Sequence, residues 1–163
     1  MSTTETSGVG SRARWTDVYI AEADRLMRLA TVLVGPANAH DLVVDTVQRV
    51  VRRADWSTID RPGAYLSRAI VNAATSAKRS AIRREEREAR ASRLVIVQSV
   101  DPTNVVDVHR ALGRLTPQQR AIVYFTYWED LSIPEVARRL DIHEGTVRKQ
   151  IVRAKERLRE VLK

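Results

Sequence analysis

Apolar residues recur every three or four positions along most of this chain, which is the spacing of one face of an α-helix. Six glycines and five prolines are the strongest interruptions in 163 residues. The pattern predicts a first helix that is capped by Thr16 and ends near Val34. It predicts a second helix from residues 38–41 to 55–57, and a third that begins after Pro62. A single short apolar run has no second strand to pair with, so we expect an all-α fold.

The C-terminal third contains two capping boxes and a break. Residues 116–119 (TPQQ) predict a helix that continues through Trp128. Residues 132–135 (SIPE) predict a short helix of about two turns, with proline in its first turn. After a break at residues 141–143, the apolar period restarts at 144–145 and continues to the end of the chain. A short helix, a tight turn and a long helix form the outline of a helix-turn-helix.

The order of these elements predicts two small helical domains joined by a short linker. We expect a disordered start over residues 1–13, a first domain over 14–90, a linker over 91–103 and a helix-turn-helix domain over 104–163. A short helix over about 103–112 opens the second domain. Each domain is small enough to be only marginally stable alone.

The third helix is predicted to have one apolar and one polar face. Its inner face is expected to comprise Leu66, Ile70, Ala73 and Ala77. Five polar side chains recur on the opposite side at spacings of four, three, four and four, where they can reach phosphates or bases. These residues, here called the basic row, are Arg68, Asn72, Thr75, Arg79 and Arg83. A solvated helix surface would show the same row, so both interpretations stay open at this point.

The last helix also has two faces. Its apolar stripe comprises Val147, Ile151, Ala154, Leu158 and Val161. Its other face is mainly cationic and comprises Thr146, Arg148, Lys149, Arg153, Arg157 and Arg159. Such a face suits a DNA groove. Glutamates are interspersed among the cations, however, so a solvated face is also compatible with the pattern.

The charge balance favours a polyanionic partner. With 28 basic and 20 acidic residues the net charge is +8, and the pI is about 10.5. Half of that excess, a net +4, lies on residues 78–93, which extend the third helix. Nucleic acid and an anionic membrane surface both fit this balance. A mobile charged tether is a further interpretation of residues 78–93.

Several classes of site and location are disfavoured by the sequence. The chain has no cysteine, and its three histidines are far apart, so we expect no metal site and no cofactor. The first ten residues lack the apolar segment of a signal peptide. No apolar run approaches the length of a membrane span. We therefore expect a cytoplasmic protein without a membrane partner.

The aromatic residues are predicted to contribute mainly to packing. Four of them cluster in one stretch of the helix-turn-helix domain, which is small and needs bulky core side chains. These four are Tyr124, Phe125, Tyr127 and Trp128. Trp56 and Tyr65 are the only aromatics near the basic row in sequence. We expect both to serve in core or hinge packing rather than in stacking on a base.

Three stretches of the chain resemble a known family. Residues 115–162 closely resemble region 4 of bacterial RNA polymerase sigma factors of the extracytoplasmic-function group, through the frame GTVR-x5-A-x3-L that follows VARRL. Residues 41–55 (DLVVDTVQRVVRRAD) resemble region 2.2, and residues 61–79 (RPGAYLSRAIVNAATSAKR) resemble regions 2.3 and 2.4. The resemblance covers both predicted domains in their order.

This resemblance implies a function. Such a protein is not itself an enzyme but binds core RNA polymerase, with region 2 on the β′ clamp helices and region 4 on the β flap. Region 4 then reads the −35 element of promoter DNA as a duplex. Region 2 holds the melted non-template strand of the −10 element. Members of the group are frequently held inactive by an anti-sigma factor, and the sequence leaves open whether this chain has one.

The resemblance also assigns residues. Arg148, Lys149, Val152 and Arg153 match positions that face −35 DNA, and Thr146 lies on the same face. In the basic row, Asn72 matches the asparagine that helps to form the pocket for a flipped −10 base. Three residues of the second helix match the positions of region 2.2 that face the polymerase clamp; they are Asp41, Leu42 and Asp45.

The chain departs from the family pattern at several positions. Val44 stands where glutamine is frequent in the clamp-binding helix. Asp141 replaces the usual glycine of the turn, although aspartate tolerates a left-handed backbone moderately well. His143 occupies the N-cap, where serine or threonine is more favourable. Lys149 and Gln150 replace a frequent Ser-Arg pair, so the promoter sequence cannot be copied from relatives.

Two other functions remain open from the sequence. One is a dimeric helix-turn-helix regulator that acts on duplex DNA without polymerase, although the basic stretch from Arg68 to Arg93 would be an unusual dimer interface. The other is a decoy that occupies polymerase without initiating transcription. Binding to core polymerase separates the first of these from a sigma factor.

Overall fold

The computed structural model describes residues 6–53, 58–91 and 111–161, and within them the side chains of 15–53, 58–88 and 111–160. Every described regular element of eight or more residues is an α-helix, which confirms the predicted all-α class. We number these helices α1 (Thr6–Val34), α2 (Pro36–Arg53), α3 (Pro62–Ala91), α4 (Pro117–Tyr127), α5 (Ile133–Leu140) and α6 (Glu144–Val161). Most of the predicted linker lies outside the described residues, and the proposed division into two domains stays a prediction.

Helix α1 begins at Thr6, ten residues before the predicted cap at Thr16. Residues 6–15 contain no proline, and extending a helix costs far less than nucleating one. The predicted C-terminus is correct, because Gly35 follows Val34 with a φ of 84°. Glycine adopts this left-handed conformation without steric cost. Its N–H donates to the Thr31 carbonyl at 2.9 Å and so terminates the helix.

Helices α1, α2 and α3 contact one another in pairs around an apolar core, and are here called the N-terminal group. On α3 the buried stripe differs from the prediction, since Ala77 is exposed and Ala73 only half-buried. The buried residues of α3 are Leu66, Ser67, Ile70, Val71 and Ala74. Ser67 was not expected inside, but its hydroxyl donates to the Gly63 carbonyl at 2.9 Å, which removes the cost of burying an unpaired polar group.

Helices α4, α5 and α6 form the C-terminal group. Both predicted capping boxes are confirmed. In the first, the Gln119 N–H donates to the Thr116 hydroxyl at 3.2 Å, and the Thr116 N–H donates to the Gln119 side chain at 3.1 Å. In the second, the Ser132 N–H donates to the Glu135 carboxylate at 2.8 Å. These local bonds fix where α4 and α5 begin.

The two groups lie against each other and share one hydrophobic core, with α4 contacting α1 and α3, and α5 contacting α3. Polar bonds reinforce this contact. The Arg139 guanidinium lies 2.7 Å from the Glu22 carboxylate and donates to the Ser67 hydroxyl at 3.2 Å. The Arg120 guanidinium donates to the Leu33 carbonyl at 2.6 Å, which satisfies an end carbonyl of α1. We call this arrangement of the two groups the closed arrangement.

Among Gly35, Gly63, Gly113 and Gly145, only Gly63 has another side chain packed against it. A Cβ there would lie 2.6 Å from the Glu22 Oε1, whereas a Cβ at Gly145 would meet nothing within 4 Å. Alanine in a helix is more favourable than glycine by about 0.5–1 kcal/mol. We expect Gly145→Ala to gain that amount in urea unfolding, and Gly63→Ala to gain nothing or lose stability, because Glu22 must move away from Arg139. Equal gains for both variants would contradict the close contact at Gly63.

Candidate nucleic-acid and polymerase interface

Helix α6 presents the predicted DNA-contact residues to solvent. Val147 and Ala154 are fully buried and fix the orientation of the helix. Four candidate residues on the other side are exposed, while Thr146 is half-buried; the exposed ones are Arg148, Lys149, Val152 and Arg153. They occupy positions i, i+1, i+4 and i+5, which lie on one face of a helix. The four exposed side chains therefore lie together on one face of α6, and their assignment to DNA stays a prediction.

The turn before α6 is built as a helix-turn-helix requires. Asp141 adopts the left-handed conformation, with a φ of 53°, where the family usually has glycine. The Ile142 N–H then donates to the Ala137 carbonyl at 3.0 Å, and the Val147 N–H donates to the His143 carbonyl at 3.1 Å. The departures at 141 and 143 therefore leave the backbone of the motif intact.

The basic row lies on α3, but its members differ in accessibility. Asn72, Arg79 and Arg83 are exposed. Arg68 is half-buried; it forms an ion pair with Asp141 of the C-terminal group and lies over the Tyr65 ring, 5.6 Å from its centroid. Thr75 is also half-buried, and its hydroxyl donates to a backbone carbonyl. The part of the row nearest the helix-turn-helix is thus engaged by the C-terminal group in the closed arrangement.

The candidate polymerase residues lie on α2. Asp41 and Asp45 are exposed, one turn apart, and Leu42 is half-buried between them. Val44, the departure from the family pattern, is also half-buried. Two exposed carboxylates on one helix face can meet cations of a partner protein.

The prediction that all four C-terminal aromatics pack in the core is wrong for two of them. Tyr124 and Phe125 are buried with their ring centroids 5.4 Å apart. Tyr127 is 59% exposed and Trp128 is 76% exposed. Tyr127 follows Phe125 by two positions and so lies on the opposite side of α4, while Trp128 is the C-cap residue that follows the helix. Trp56 lies outside the described residues.

A largely buried cluster at Glu129 joins the two groups, and no pattern in the sequence indicates it. The Glu129 side chain is about 10% exposed and lies 2.9 Å from the Arg25 Nε. It also accepts a hydrogen bond from the Tyr124 hydroxyl at 2.6 Å. Burial acts to raise the pKa of Glu129, but the Tyr124 hydroxyl and the Arg25 and Arg28 guanidinium groups outweigh it, so the pKa lies below its ordinary value.

This lowered pKa predicts how stability depends on pH. A carboxyl group whose pKa is lower in the folded state than the ordinary 4.5 contributes stability above that pH. This contribution to stability is lost as the pH falls through the pKa of the carboxyl group in the folded state. We expect urea unfolding between pH 6 and about 3 to show a smaller loss of stability for Glu129→Gln than for the unchanged protein. The exposed Glu156 is the control, and Glu156→Gln should leave the pH dependence unchanged. If the stability of all three proteins fell with pH to the same extent, the lowered pKa assigned to Glu129 would be contradicted.

The closed arrangement brings the two sets of candidate DNA residues together. A cleft of about 620 Å³ between α3 and α5 is lined by Tyr65 and Arg68 on one side and by Arg139 on the other. A second cleft is lined by Thr75 and Arg79 of α3 and by Gln150 and Arg153 of α6. The predicted −10 and −35 surfaces thus meet in this structure, which the sequence did not indicate.

Other types of site find no support among the described residues. Within them, no group of three or more histidine, aspartate or glutamate side chains has the geometry to hold a metal ion. None of the helices in the described ranges is both long and apolar enough to cross a membrane. The three-helix motif α4–α6 and the exposed cations of α6 define a helix-turn-helix protein of the nucleic-acid-binding class.

Comparison with known proteins identifies the family. Residues 106–158 match the family model described as Sigma-70, region 4. The chain is 33% identical to the RNA polymerase sigma-E factor of Streptomyces coelicolor, over 85% of this chain and 80% of that protein. It is 35% identical to the sigma-E factor of Streptomyces avermitilis, over 85% and 79% of the two chains. It is also 30% identical to the ECF RNA polymerase sigma factor SigE of Mycolicibacterium smegmatis, over 91% of this chain and 61% of that protein.

The fold has a solved counterpart. The sigma factor RpoE of Bartonella quintana, in complex with the anti-sigma factor NepR, superposes with a TM-score of 0.62 over 91% of this chain and 96% of that one, at 22% identity. The chain belongs to the sigma-70 family and, within it, to the extracytoplasmic-function group. It is an RNA polymerase sigma factor, as the sequence predicted.

Proposed function

We propose that this sigma factor directs promoter recognition with α6 in the major groove of the −35 element and α3 on the melted −10 strand. The observation that carries the proposal is the exposed face of α6, where Arg148, Lys149 and Arg153 surround Val152. Arginine and lysine bind guanine edges and phosphates, and an apolar side chain can contact a thymine methyl group. The buried Val147 and Ala154 hold the opposite face and keep the orientation fixed.

The −10 strand is assigned to α3. Arg79 and Arg83 provide exposed cations for a backbone, and Asn72 provides an exposed amide with both donors and an acceptor for a base edge. Tyr65 lies under Arg68, so neither presents a free stacking surface in the closed arrangement. We propose that Asn72 reads the base, while Arg79 and Arg83 hold the phosphates.

This assignment requires the two groups to separate. The −10 and −35 elements are about 25 base pairs apart, or about 85 Å at about 3.4 Å per pair. In the closed arrangement Arg79 and Arg153 line one cleft. A single chain in that arrangement cannot reach both elements. We propose that the closed arrangement is the free form and that the promoter-bound form is open.

Polymerase binding is assigned to α2. Asp41 and Asp45 are exposed and free of the contact between the two groups, so they are accessible in the closed arrangement. An anti-sigma factor is among the proposed partners because the solved relative was crystallised with one. As a regulatory subunit, the chain is proposed to have no catalytic activity of its own and to work in the cytoplasm with polymerase.

Equilibrium binding to purified core RNA polymerase tests the proposal. We expect tight one-to-one binding of the labelled protein at near-physiological salt, and competition by another sigma factor. Asp45→Lys should weaken binding by about tenfold or more, because it places a cation opposite the positive charge of the partner surface. The matched control is Asp17→Lys, an exposed aspartate on α1.

Two outcomes of these binding experiments would contradict the proposed function. If Asp45→Lys binds polymerase as well as Asp17→Lys does, the assignment of α2 is wrong. If the protein fails to bind core polymerase but protects a palindromic DNA duplex alone, it acts as a dimeric regulator instead.

A further inference from the structure

The cleft between α3, α6 and the start of α4 has an unusual charge. Its volume is about 440 Å³, and both groups contribute to its walls. Four cationic side chains line it: Lys78, Arg79, Arg153 and Arg157. None of them lies within ion-pairing distance of a carboxylate among the described side chains. Unpaired cations in a partly enclosed cleft repel one another and focus a positive potential.

The other cleft between the groups shows the contrast. There Arg68 pairs with Asp141, and Arg139 pairs with Glu22 at 2.7 Å. The ion pairs that join the two groups at α3 therefore lie at the first cleft, whereas none of the four cations of the second cleft pairs with a described carboxylate. The shared apolar core already packs the two groups together, and the hydrogen bonds made by these cations leave their positive charge without a carboxylate partner.

Two of the four cations are held in place by polar bonds within the cleft wall. The Lys78 Nζ donates to the Leu115 carbonyl at 3.3 Å. The Arg157 guanidinium donates to the Gln119 Oε1 at 2.9 Å. Gln119 is buried and in turn donates to the Gln150 side chain at 2.9 Å. Burial lowers the pKa of Lys78, and the neighbouring Arg120 and Arg157 lower it further, which is consistent with a cationic environment that lacks an anion.

We propose that this cleft binds a short chain of linked phosphates, such as inorganic triphosphate or the phosphate chain of a nucleotide. Such a chain concentrates several negative charges in a volume that suits a small-molecule pocket. A DNA duplex is far too wide to enter a cleft of about 440 Å³. Charge-assisted hydrogen bonds from guanidinium and ammonium groups to phosphate oxygens would neutralise cations from both groups at once. The inference rests on the cleft alone and does not depend on the promoter assignments.

Calorimetric titration of the full chain with inorganic triphosphate tests the site. Triphosphate should bind at least about tenfold more tightly than monophosphate at matched ionic strength, because it engages several cations together. Lys78→Gln and Arg157→Gln should each weaken triphosphate binding by about tenfold, since each removes a charged hydrogen bond. Neither residue is among those that the proposed function assigns to DNA or polymerase.

The controls remove the same charge from the same helices. Arg84 on α3 and Arg159 on α6 are exposed and do not line the cleft, so Arg84→Gln and Arg159→Gln should change the affinity by less than about twofold. Circular dichroism and urea unfolding of each variant establish that it is folded. Lys78→Arg, which keeps the charge, should retain binding.

The outcomes separate the possibilities. Equal affinity for triphosphate and ATP would identify the phosphate chain as the ligand, and tighter binding of ATP would add a contact to the nucleoside. Similar losses in all four glutamine variants would indicate general attraction to a basic protein and overturn the proposal. The proposal would also be overturned if the protein bound triphosphate no more tightly than monophosphate.

Discussion

Arg148→Ala and Arg153→Ala should each reduce transcription from a −35-dependent promoter by about tenfold, and the double variant by more, while binding to core polymerase is retained. The physical reason is the loss of base or phosphate contacts; a good bidentate contact is worth about 1–3 kcal/mol. The pair of Arg148 with Glu144, 3.2 Å apart, is exposed and contributes little that would oppose binding to DNA. Arg153 has no carboxylate partner among the described side chains, so no ion pair must be broken before it contacts DNA.

Run-off transcription with reconstituted holoenzyme measures the effect, and polymerase binding is measured in parallel. Arg159→Ala is the matched control, because Arg159 is exposed in the last turn of the same helix, far from its N-terminal end. It should retain most of the activity. If the two variants instead lose polymerase binding while the control does not, α6 faces polymerase and the assignment to −35 DNA is incorrect.

The local elements of this chain were predictable because their signals are local. Thr116 and Ser132 cap their helices through bonds to residues three positions later, and Asp141 forms the left-handed turn that replaces glycine. Such bonds need no knowledge of the rest of the fold. The exposed face of α6 was predictable for the same reason, since Val147 and Ala154 determine which side is buried.

The contact between the groups was not predictable from local pattern. Glu22 and Arg139 pair across 117 positions of the chain, and Arg25 and Glu129 across 104. Surface charges are common on helices, and nothing in the sequence marks these as half-buried partners. The role of Ser67 on α3 was missed for a related reason, because a serine that satisfies its own hydroxyl can occupy an inner position.

The clefts depend on the contact between the groups, so they could not be predicted either. The basic row and the face of α6 were each predicted as separate cationic surfaces. Only the closed arrangement shows that Arg79 and Arg153 line one cleft. Surfaces that are proposed to contact DNA are thus partly enclosed in the closed arrangement. The proposed open form differs from it in the distance between the groups.

That distance should increase when the protein binds polymerase and promoter. The chain contains no cysteine, so Asp17→Cys on α1 and Glu156→Cys on α6 provide two unique dye positions, both exposed and away from the face of α2 that carries Asp41 and Asp45. We expect high energy transfer between the dyes in the free protein and a large decrease in the promoter complex, since the two DNA elements are about 85 Å apart. A pair within the N-terminal group, Asp17→Cys with Arg53→Cys, should show no change, since both residues are exposed and belong to the same group.

The ion pair between the two groups offers a way to shift the free protein from the closed arrangement towards the open form. Arg139 and Glu22 are each less than 20% exposed, at 16% and 19%. Arg139→Ala removes the nearest partner of the half-buried Glu22 carboxylate and leaves it only the Arg25 guanidinium at 3.6 Å. Loss of a partner costs about 3 kcal/mol for a fully buried pair and less here. We expect a lower transfer efficiency before polymerase is added. Arg138→Ala, an exposed neighbour on α5, should leave the efficiency unchanged.

An unchanged efficiency in the promoter complex would mean that the closed arrangement itself binds DNA, and the assignment of α3 and α6 to separate elements would then fail.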